Sequence, residues 1–492
     1  MAKTNGGRSA TDSTSVPERT SVPDGTGVPD STRASDTLVV FGITGDLGRK
    51  MTLRSLYRLE RRGLLDCRVI GVASTDMSTA QLVAYARETV AATGEPVEDA
   101  VFQRFAGRLT YLHGDVVDDS LYERLAREIG PGHRPLYYLE MPPALFAPIV
   151  ERLGKADILG TACVAVEKPF GNDLESAREL NARLRAVLDE SQLLRVDHFL
   201  GKEPVIELEY LRFANPALAG LWDRNSVSAV QITMAEDFGV EDRGKFYDSV
   251  GALRDVVQNH LLQVLALVTM DPPTRADADS VRDKKAEILG AVRAADPEHC
   301  VRGQYAGYAD VPGVAAGSTT ETFTALRLEV ENWRWADVPF FLRAGKKLPL
   351  RATEVRLLLR RAPRLACLPT PTQAEQNQIV LRIDPDPGLR VQLVGQGGDE
   401  AWRPINLNAS FAPDVGEPFE PYERLLHSAL TGDHRLFTRE DSVEESWRIV
   451  QPLLDNPPEV HPYQPGSWGP EEAKRLVRGH PSWREPWTGP AR

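Results

Sequence analysis

The sequence predicts an α/β protein in two parts: a parallel sheet flanked by helices, then a larger α+β region with a mainly antiparallel sheet. Three observations carry this. Short apolar runs alternate with helical stretches from Thr37 to about Asp197, longer alternating segments follow, and one stretch, Val256 to Met270, is apolar nearly all round.

Leu38-Val39-Val40-Phe41 reads as a buried strand, and the stripe Leu53, Leu56, Leu59 as a helix. Arg68-Val69-Ile70 restarts a strand. Ser78-Thr79-Ala80-Gln81 has the form of a capping box opening a helix with Leu82, Tyr85 and Ala86 inside it. Further apolar runs end at Leu112, Leu139 and Val166, spaced to suit crossover helices, and repeated β-α-β order implies a parallel sheet with helices on both faces. In the second part, Val230, Ile232 and Met234 alternate with Gln231 and Thr233, and Leu326, Leu328 and Val330 with Arg327 and Glu329, as in antiparallel strands with one buried face. Val256 to Met270 is read as a buried helix. Met1 to about Ser35 holds almost no large apolar side chain and is expected to be a disordered tail, leaving 36–197 and 198–492 as the two domains.

Of 492 residues, 42% are hydrophobic, enough for a large core. No stretch has the length of a membrane span and the N-terminus lacks a secretory pattern, so a cytoplasmic protein is expected. Cys67, Cys163, Cys300 and Cys367 form no C-x-x-C pair and the nine histidines no ligand spacing, so neither metal nor disulfide is expected. A net charge of −12 argues against nucleic acid or an anionic membrane as partner, yet leaves room for an anionic substrate at a local cluster of cations.

Five segments bear possible chemistry. Gly42-Ile43-Thr44-Gly45-Asp46-Leu47 lies between the first strand and first helix, where glycines let the backbone approach a pyrophosphate. It is not G-x-G-x-x-G, and a plain turn with a helix cap fits equally. Glu167-Lys168-Pro169-Phe170-Gly171 ends a strand at the ligand-binding edge of the sheet, where the proline would aim Lys168 into the crevice. A solvated surface lysine is the alternative. In Arg195-Val196-Asp197-His198-Phe199-Leu200-Gly201-Lys202-Glu203, read as extended, Asp197 and His198 point opposite ways, and His198 with Lys202 suits a phosphate. A charged interdomain loop would look the same. Arg254-Asp255-Val256-Val257-Gln258-Asn259-His260 crowds polar groups into the start of the apolar helix, which is costly unless they have partners or face a cavity, although a histidine flanked by Leu261, Leu262 and Val264 is more often a satisfied core residue than a catalyst. Asn332-Trp333-Arg334-Trp335, with core tryptophans, reads as a strand, and Phe341 to Lys347 as its continuation delivering lysines.

Taken together, in this order, these segments resemble the signatures of glucose-6-phosphate dehydrogenases, as do Arg302-Gly-Gln-Tyr and Tyr422-Glu-Arg-Leu-Leu, so the likeness runs from about Asp36 to the C-terminus. The resemblance implies a Rossmann-type coenzyme domain followed by the substrate and oligomerisation domain, and a homodimer or homotetramer built through the broad sheet. It implies oxidation of C1 of glucose 6-phosphate to 6-phosphogluconolactone, the entry to the oxidative pentose phosphate route. His260 would be the base and Asp197 its partner. His198 and Lys202, with Arg351, would hold the phosphate, and Glu236, Asp255 and Lys346 the sugar hydroxyls. Lys168 would stand between substrate and coenzyme, after which a cis peptide precedes Pro169. Gly42, Thr44, Gly45, Asp46 and Leu47 would form the coenzyme loop.

Three positions depart from the family pattern. Phe199 replaces a tyrosine of the phosphate site and Thr44 a serine. Ser74 stands where the arginine for the 2′-phosphate of NADP is expected, so NADP is the expected coenzyme but NAD is open. Arg49 or Lys50 could substitute for that arginine, and Asp76 could hold a ribose hydroxyl. Two other functions remain: another NAD(P)-dependent sugar oxidoreductase, against which the cations for a phosphate count, and a non-catalytic paralogue acting as an assembly partner.

Overall fold

The computed structural model describes residues 34–363, 376–396, 402–411 and 417–489. Most of the N-terminal tail and Cys367 lie outside these residues. Cys67, Cys163 and Cys300 are buried.

Six parallel strands build the first sheet: β1 (Thr37–Phe41), β2 (Arg68–Ala73), β3 (Leu109–His113), β4 (Pro135–Leu139), β5 (Cys163–Glu167) and β6 (Leu193–Val196). Their order, β3-β2-β1-β4-β5-β6, reverses direction between β1 and β4, and such a switch point opens a crevice at the carboxyl ends of the strands. Near-continuous apolar runs make these strands because both faces are covered: every residue of β1 and β4 is buried. The helix Thr79–Ala92 starts where expected, with Ser78 and Gln81 forming a reciprocal capping box.

Nine strands build the second sheet: β7 (Val227–Ala235), β8 (Cys300–Tyr305), β9 (Phe323–Glu329), β10 (Pro339–Gly345), β11 (Ala352–Leu359), β12 (Gln378–Asp384), β13 (Gly388–Gln396), β14 (Trp402–Ser410) and β15 (Val460–Tyr463). Among the described residues of this sheet, only the β7–β10 and β8–β15 pairs are parallel. One face packs on the helix Leu262–Thr269, buried at every position. The opposite face is covered too. There Gln231 Nε2 donates to the Ser482 carbonyl at 3.0 Å, and Arg343 lies between the rings of Trp468 and Trp483 at 4.6 and 4.8 Å, so the polar members of the alternating pattern meet the C-terminal segment rather than water.

Three local readings need correction. Asn332–Trp335 is a turn, not a strand: the Asn332 side chain accepts the Trp335 amide at 2.9 Å, which closes it. Trp333 consequently projects to solvent, 91% exposed, whereas Trp335 is core. The extended reading of the Asp197 segment holds only to Asp197, because the Asp197 carboxylate accepts the Phe199 amide at 3.0 Å and starts a 3-10 turn at His198–Gly201. The buried helix begins as a π-helix, Leu253–Leu261.

The chain also returns to its beginning. Leu425, Leu426 and Ala429 of the helix Pro421–Thr431 share one core cluster with Leu38, Leu53 and Leu56. Buried Arg58 donates to buried Glu423 at 2.9 Å, 365 residues apart.

Candidate active site

Strand register brings the site together. In the β5–β6 pair Glu167 lies beside Val196, so the next residues, Lys168 and Asp197, emerge side by side at the carboxyl edge of the first sheet. In the second sheet Ala235 pairs with both Gly345 and Ala352, which gathers Glu236, Lys346 and Arg351 at one end. Thr353 pairs with Asp384 at that same end. The π-helix supplies the third wall. An α-helix would turn Asp255 and His260, five apart, about 140° from one another; the wider π turn brings both to Lys168.

His260 Nδ1 stands 2.6 Å from Asp197 Oδ1, both side chains almost wholly buried. A proton shared there belongs on Nδ1, which leaves Nε2 with a lone pair, and the Lys168 ammonium donates to it at 3.0 Å. Lys168 also donates to the Asp255 carbonyl at 2.9 Å and to its carboxylate at 3.2 Å. Burial lowers the His260 pKa below its ordinary value, with Lys168 adding to the effect and Asp197 opposing it, so the imidazole is neutral at neutral pH. Burial opposes the charge of Asp197 as well, but His260, His198 and Lys168 outweigh it and hold the carboxyl well below the usual range. The result is a neutral imidazole on a fixed carboxylate, the arrangement of a general base and its orienter. Asp197, His198 and His260 hold ligand-type atoms within 4.8 Å of one another, but the Lys168 ammonium already places a positive charge against His260, which would repel a cation.

These groups border a cavity of about 490 Å³ lined by Leu47, Lys168, His198, Lys202, Glu236, Asp255, His260 and Arg351. One expected sugar-binding residue stands behind the wall: Lys346 is not among the lining residues, but its ammonium pairs with Glu236 at 2.6 Å. His198 packs edge-on to His260, with ring centroids 4.8 Å apart, and parallel to Tyr422 at 6.0 Å. Burial, with His260, Lys168 and Lys202 around it, pushes its pKa down to about 3 against the pull of Asp197, so without an anion it is neutral. Phe199, in place of the tyrosine, is buried against His260, and the Lys202 ammonium lies 4.6 Å from its ring centroid.

Sequence reasoning assigned no role to Asp384, Thr353 or Tyr422, all of which line the cavity. Asp384 matters most, because its carboxylate pairs with the Lys202 ammonium. Tyr422 arrives on the returning C-terminal helix.

The glycine loop runs from the end of β1, and its shape suits a bound coenzyme. Gly42 has φ +86°, and a Cβ there would stand 2.5 Å from the Glu140 carbonyl. A Cβ at Gly48 would be 2.2 Å from the Ile43 carbonyl. Both glycines are therefore required for a close turn at the switch point, where a diphosphate meets backbone amides. Leu47 alone of the expected loop residues also lines the large cavity, joining the two sites. Thr44 and Thr75 hydroxyls meet at 3.1 Å. Ser74 and Asp76 are exposed just beyond β2. Arg49 and Lys50 both pair with Asp46, at 3.1 and 3.5 Å. The peptide before Pro169 is cis.

A family model described as the NAD binding domain of glucose-6-phosphate dehydrogenase matches residues 39–207, and one described as the C-terminal domain matches 209–484. The chain belongs to the glucose-6-phosphate dehydrogenase family. It is 68% identical over 454 residues to glucose-6-phosphate 1-dehydrogenase 1 of Mycobacterium tuberculosis, covering 92% of this chain and 97% of that protein. It is 38% identical over 485 residues to glucose-6-phosphate 1-dehydrogenase of Aggregatibacter actinomycetemcomitans, covering 91% and 97%. A crystal structure of the Mycobacterium avium glucose-6-phosphate 1-dehydrogenase superposes with a TM-score of 0.88 at 65% identity, over 93% of this chain and all of that one. A glucose-6-phosphate dehydrogenase solved in complex with glucose 6-phosphate gives 0.84 at 32% identity, over 92% and 99%. The two-sheet architecture of this family is therefore the one seen here, a parallel coenzyme sheet followed by a mostly antiparallel one.

Proposed function

We propose that this chain oxidises C1 of glucose 6-phosphate, with His260 as the base and Asp197 as its orienter. The observation that carries this reading is the 2.6 Å contact between His260 and Asp197 beside a cavity that Lys202 and Arg351 also line. His260 Nε2 takes the proton of the C1 hydroxyl as C1–O becomes a carbonyl and the C1 hydrogen leaves with its electron pair. A nicotinamide ring bound at the glycine loop supplies the acceptor for that hydride. Asp197 balances the imidazolium formed. Lys168 gives up its contact with Nε2 to the entering hydroxyl and keeps its hold on Asp255. His198, Lys202 and Arg351 receive the phosphate, and Glu236 and Asp255 the ring hydroxyls, with Lys346 holding Glu236. Mixing the protein with glucose 6-phosphate and either coenzyme should produce reduced nicotinamide absorbance. Silence with both would leave the non-catalytic reading, and equal rates on free glucose the other sugar oxidoreductase.

The Asp384 carboxylate pairs with Lys202, so a phosphate on Lys202 must displace it. Asp384→Asn should lower the KM for glucose 6-phosphate by roughly two- to fivefold, the value of a partly exposed ion pair. Initial rates against substrate concentration check this; a raised KM would make Asp384 a ligand rather than a competitor.

For the coenzyme we infer NADP with weak discrimination against NAD. Ser74 offers no guanidinium, and Arg49 and Lys50 are engaged by Asp46. Ser74→Arg should raise the ratio of kcat/KM for NADP over NAD by about tenfold, the worth of one charge-assisted hydrogen bond. An unchanged ratio would place 2′-phosphate recognition elsewhere. The coenzyme unit would be 36–197, supplemented by the helix Pro421–Thr431, and the substrate unit 198–492. Exposed Leu393, Ile405 and Leu407 on β13 and β14 support a homodimer or homotetramer formed through the second sheet. No helix among the described residues is long and apolar enough to cross a membrane, which fits a cytoplasmic location.

A further inference from the structure

A second cavity, of about 260 Å³, lies behind the turn His198–Gly201, among the helices Glu203–Phe213, Leu262–Thr269, Ala278–Gly290 and Pro421–Thr431. Its apolar wall includes Leu200, Val205, Leu267 and Val281. Lys285 lines it and is only 3% exposed. Its ammonium makes no hydrogen bond to, and no ion pair within 4.0 Å of, any described residue, an arrangement that costs several kcal/mol unless something compensates it. Two buried nitrogens on the cavity residues, Arg424 Nε and His427 Nδ1, have no hydrogen-bond partner among the described residues.

The acids at this cavity limit what can bind. Asp433 is already paired with Arg435 at 2.8 Å, and Glu209 faces the same space with no ion-pair partner within 4.0 Å among the described residues. Glu209, and Asp197 beyond the wall, repel a dianion such as phosphate about twice as strongly as a single negative charge, so the one unpaired cation suits a monoanion better. The apolar wall adds a requirement for hydrocarbon. We propose that this cavity is a binding site for a small aliphatic monocarboxylate, its carboxylate on Lys285 and its chain against Leu200, Val205, Leu267 and Val281. It is separate from the active-site cavity, although Leu200 belongs to the turn that carries His198, and Asp197 is the carboxylate acting most strongly on Lys285.

Calorimetric titration of the full chain, its active site first saturated with glucose 6-phosphate, with hexanoate, hexan-1-ol and inorganic phosphate tests this. Hexanoate should bind in the low millimolar range or tighter, as ligand size allows, hexan-1-ol at least about tenfold more weakly for want of one charge-assisted hydrogen bond, and phosphate more weakly too, having a second negative charge and no hydrocarbon for the apolar wall. Lys285→Met keeps the shape but removes the charge, and should weaken hexanoate by about the same factor. Leu436→Trp, at the cavity edge, fills the space with Lys285 intact and should abolish binding, so that a folding defect of either variant leaves the other as a test. The proposal is overturned by equal binding of hexanol, by binding of phosphate in place of hexanoate, by no binding at all, which would mark a water-filled cavity, or by wild-type affinity in a folded variant.

Discussion

Replacing His260 with asparagine is expected to lower kcat by about 10²–10⁴, the usual worth of a positioned general base, while glucose 6-phosphate binding is nearly retained. Asparagine keeps a polar group that can donate to Asp197, so the buried carboxylate is not left without a partner. It offers no nitrogen lone pair for the proton of the C1 hydroxyl, which must then pass to water. Of the residues assigned to the phosphate, Lys202 and Arg351 are unchanged, and His198, which packs edge-on to His260, keeps its parallel contact with Tyr422. Saturating rates of reduced coenzyme formation, with calorimetric titration of substrate into the same variant, separate the two effects. A kcat within a small factor of wild type would remove His260 from the chemistry, and lost binding with unchanged turnover would make it a substrate ligand.

Physical range decides which parts of this structure were legible in the sequence. The first sheet was legible because its signals are local: the apolar run of β1, the Ser78–Gln81 box and the repeated β-α-β spacing each sit within a few residues. The dyad was legible only through the resemblance, since Asp197 and His260 are 63 positions apart and nothing in either segment names the other. Trp333 and Trp335 show where pattern fails, because two tryptophans two positions apart look equally apolar until the Asn332 turn sends one to solvent. The π-helix was hidden because its sequence pattern was read as an ordinary buried helix. Asp384 reaches the site through strand pairing with Thr353, and Tyr422 through a helix anchored by the Arg58–Glu423 pair, so neither carried a local sign of its place. Lys285 reads as one of two adjacent helical lysines, and only packing distinguishes it from half-buried Lys284, which pairs with Glu287.

Asp197→Asn should be nearly as damaging as loss of the base, and its pH dependence distinguishes orientation from simple misfolding. An asparagine amide would present its N–H₂ to Nδ1, favouring the proton on Nε2, the tautomer that cannot accept one; the expected loss in kcat is about 10³ or more. Asp197 also raises the His260 pKa against the larger effect of burial, so removing the carboxylate lets that pKa fall further below its ordinary 6.5. A group needed in its neutral form loses activity only as pH drops through its pKa. The acid limb of kcat/KM therefore lies below 6.5 in the wild type and moves to still lower pH in Asp197→Asn, although the plateau collapses. Lys168→Met should shift the limb the other way, toward neutrality, because its ammonium is among the charges that depress the imidazole. Opposite displacements require both charges to act on one titrating ring, whereas a merely structural role would lower the plateau without moving the limb; profiles of kcat/KM from acid to neutral pH on the three proteins would show which holds.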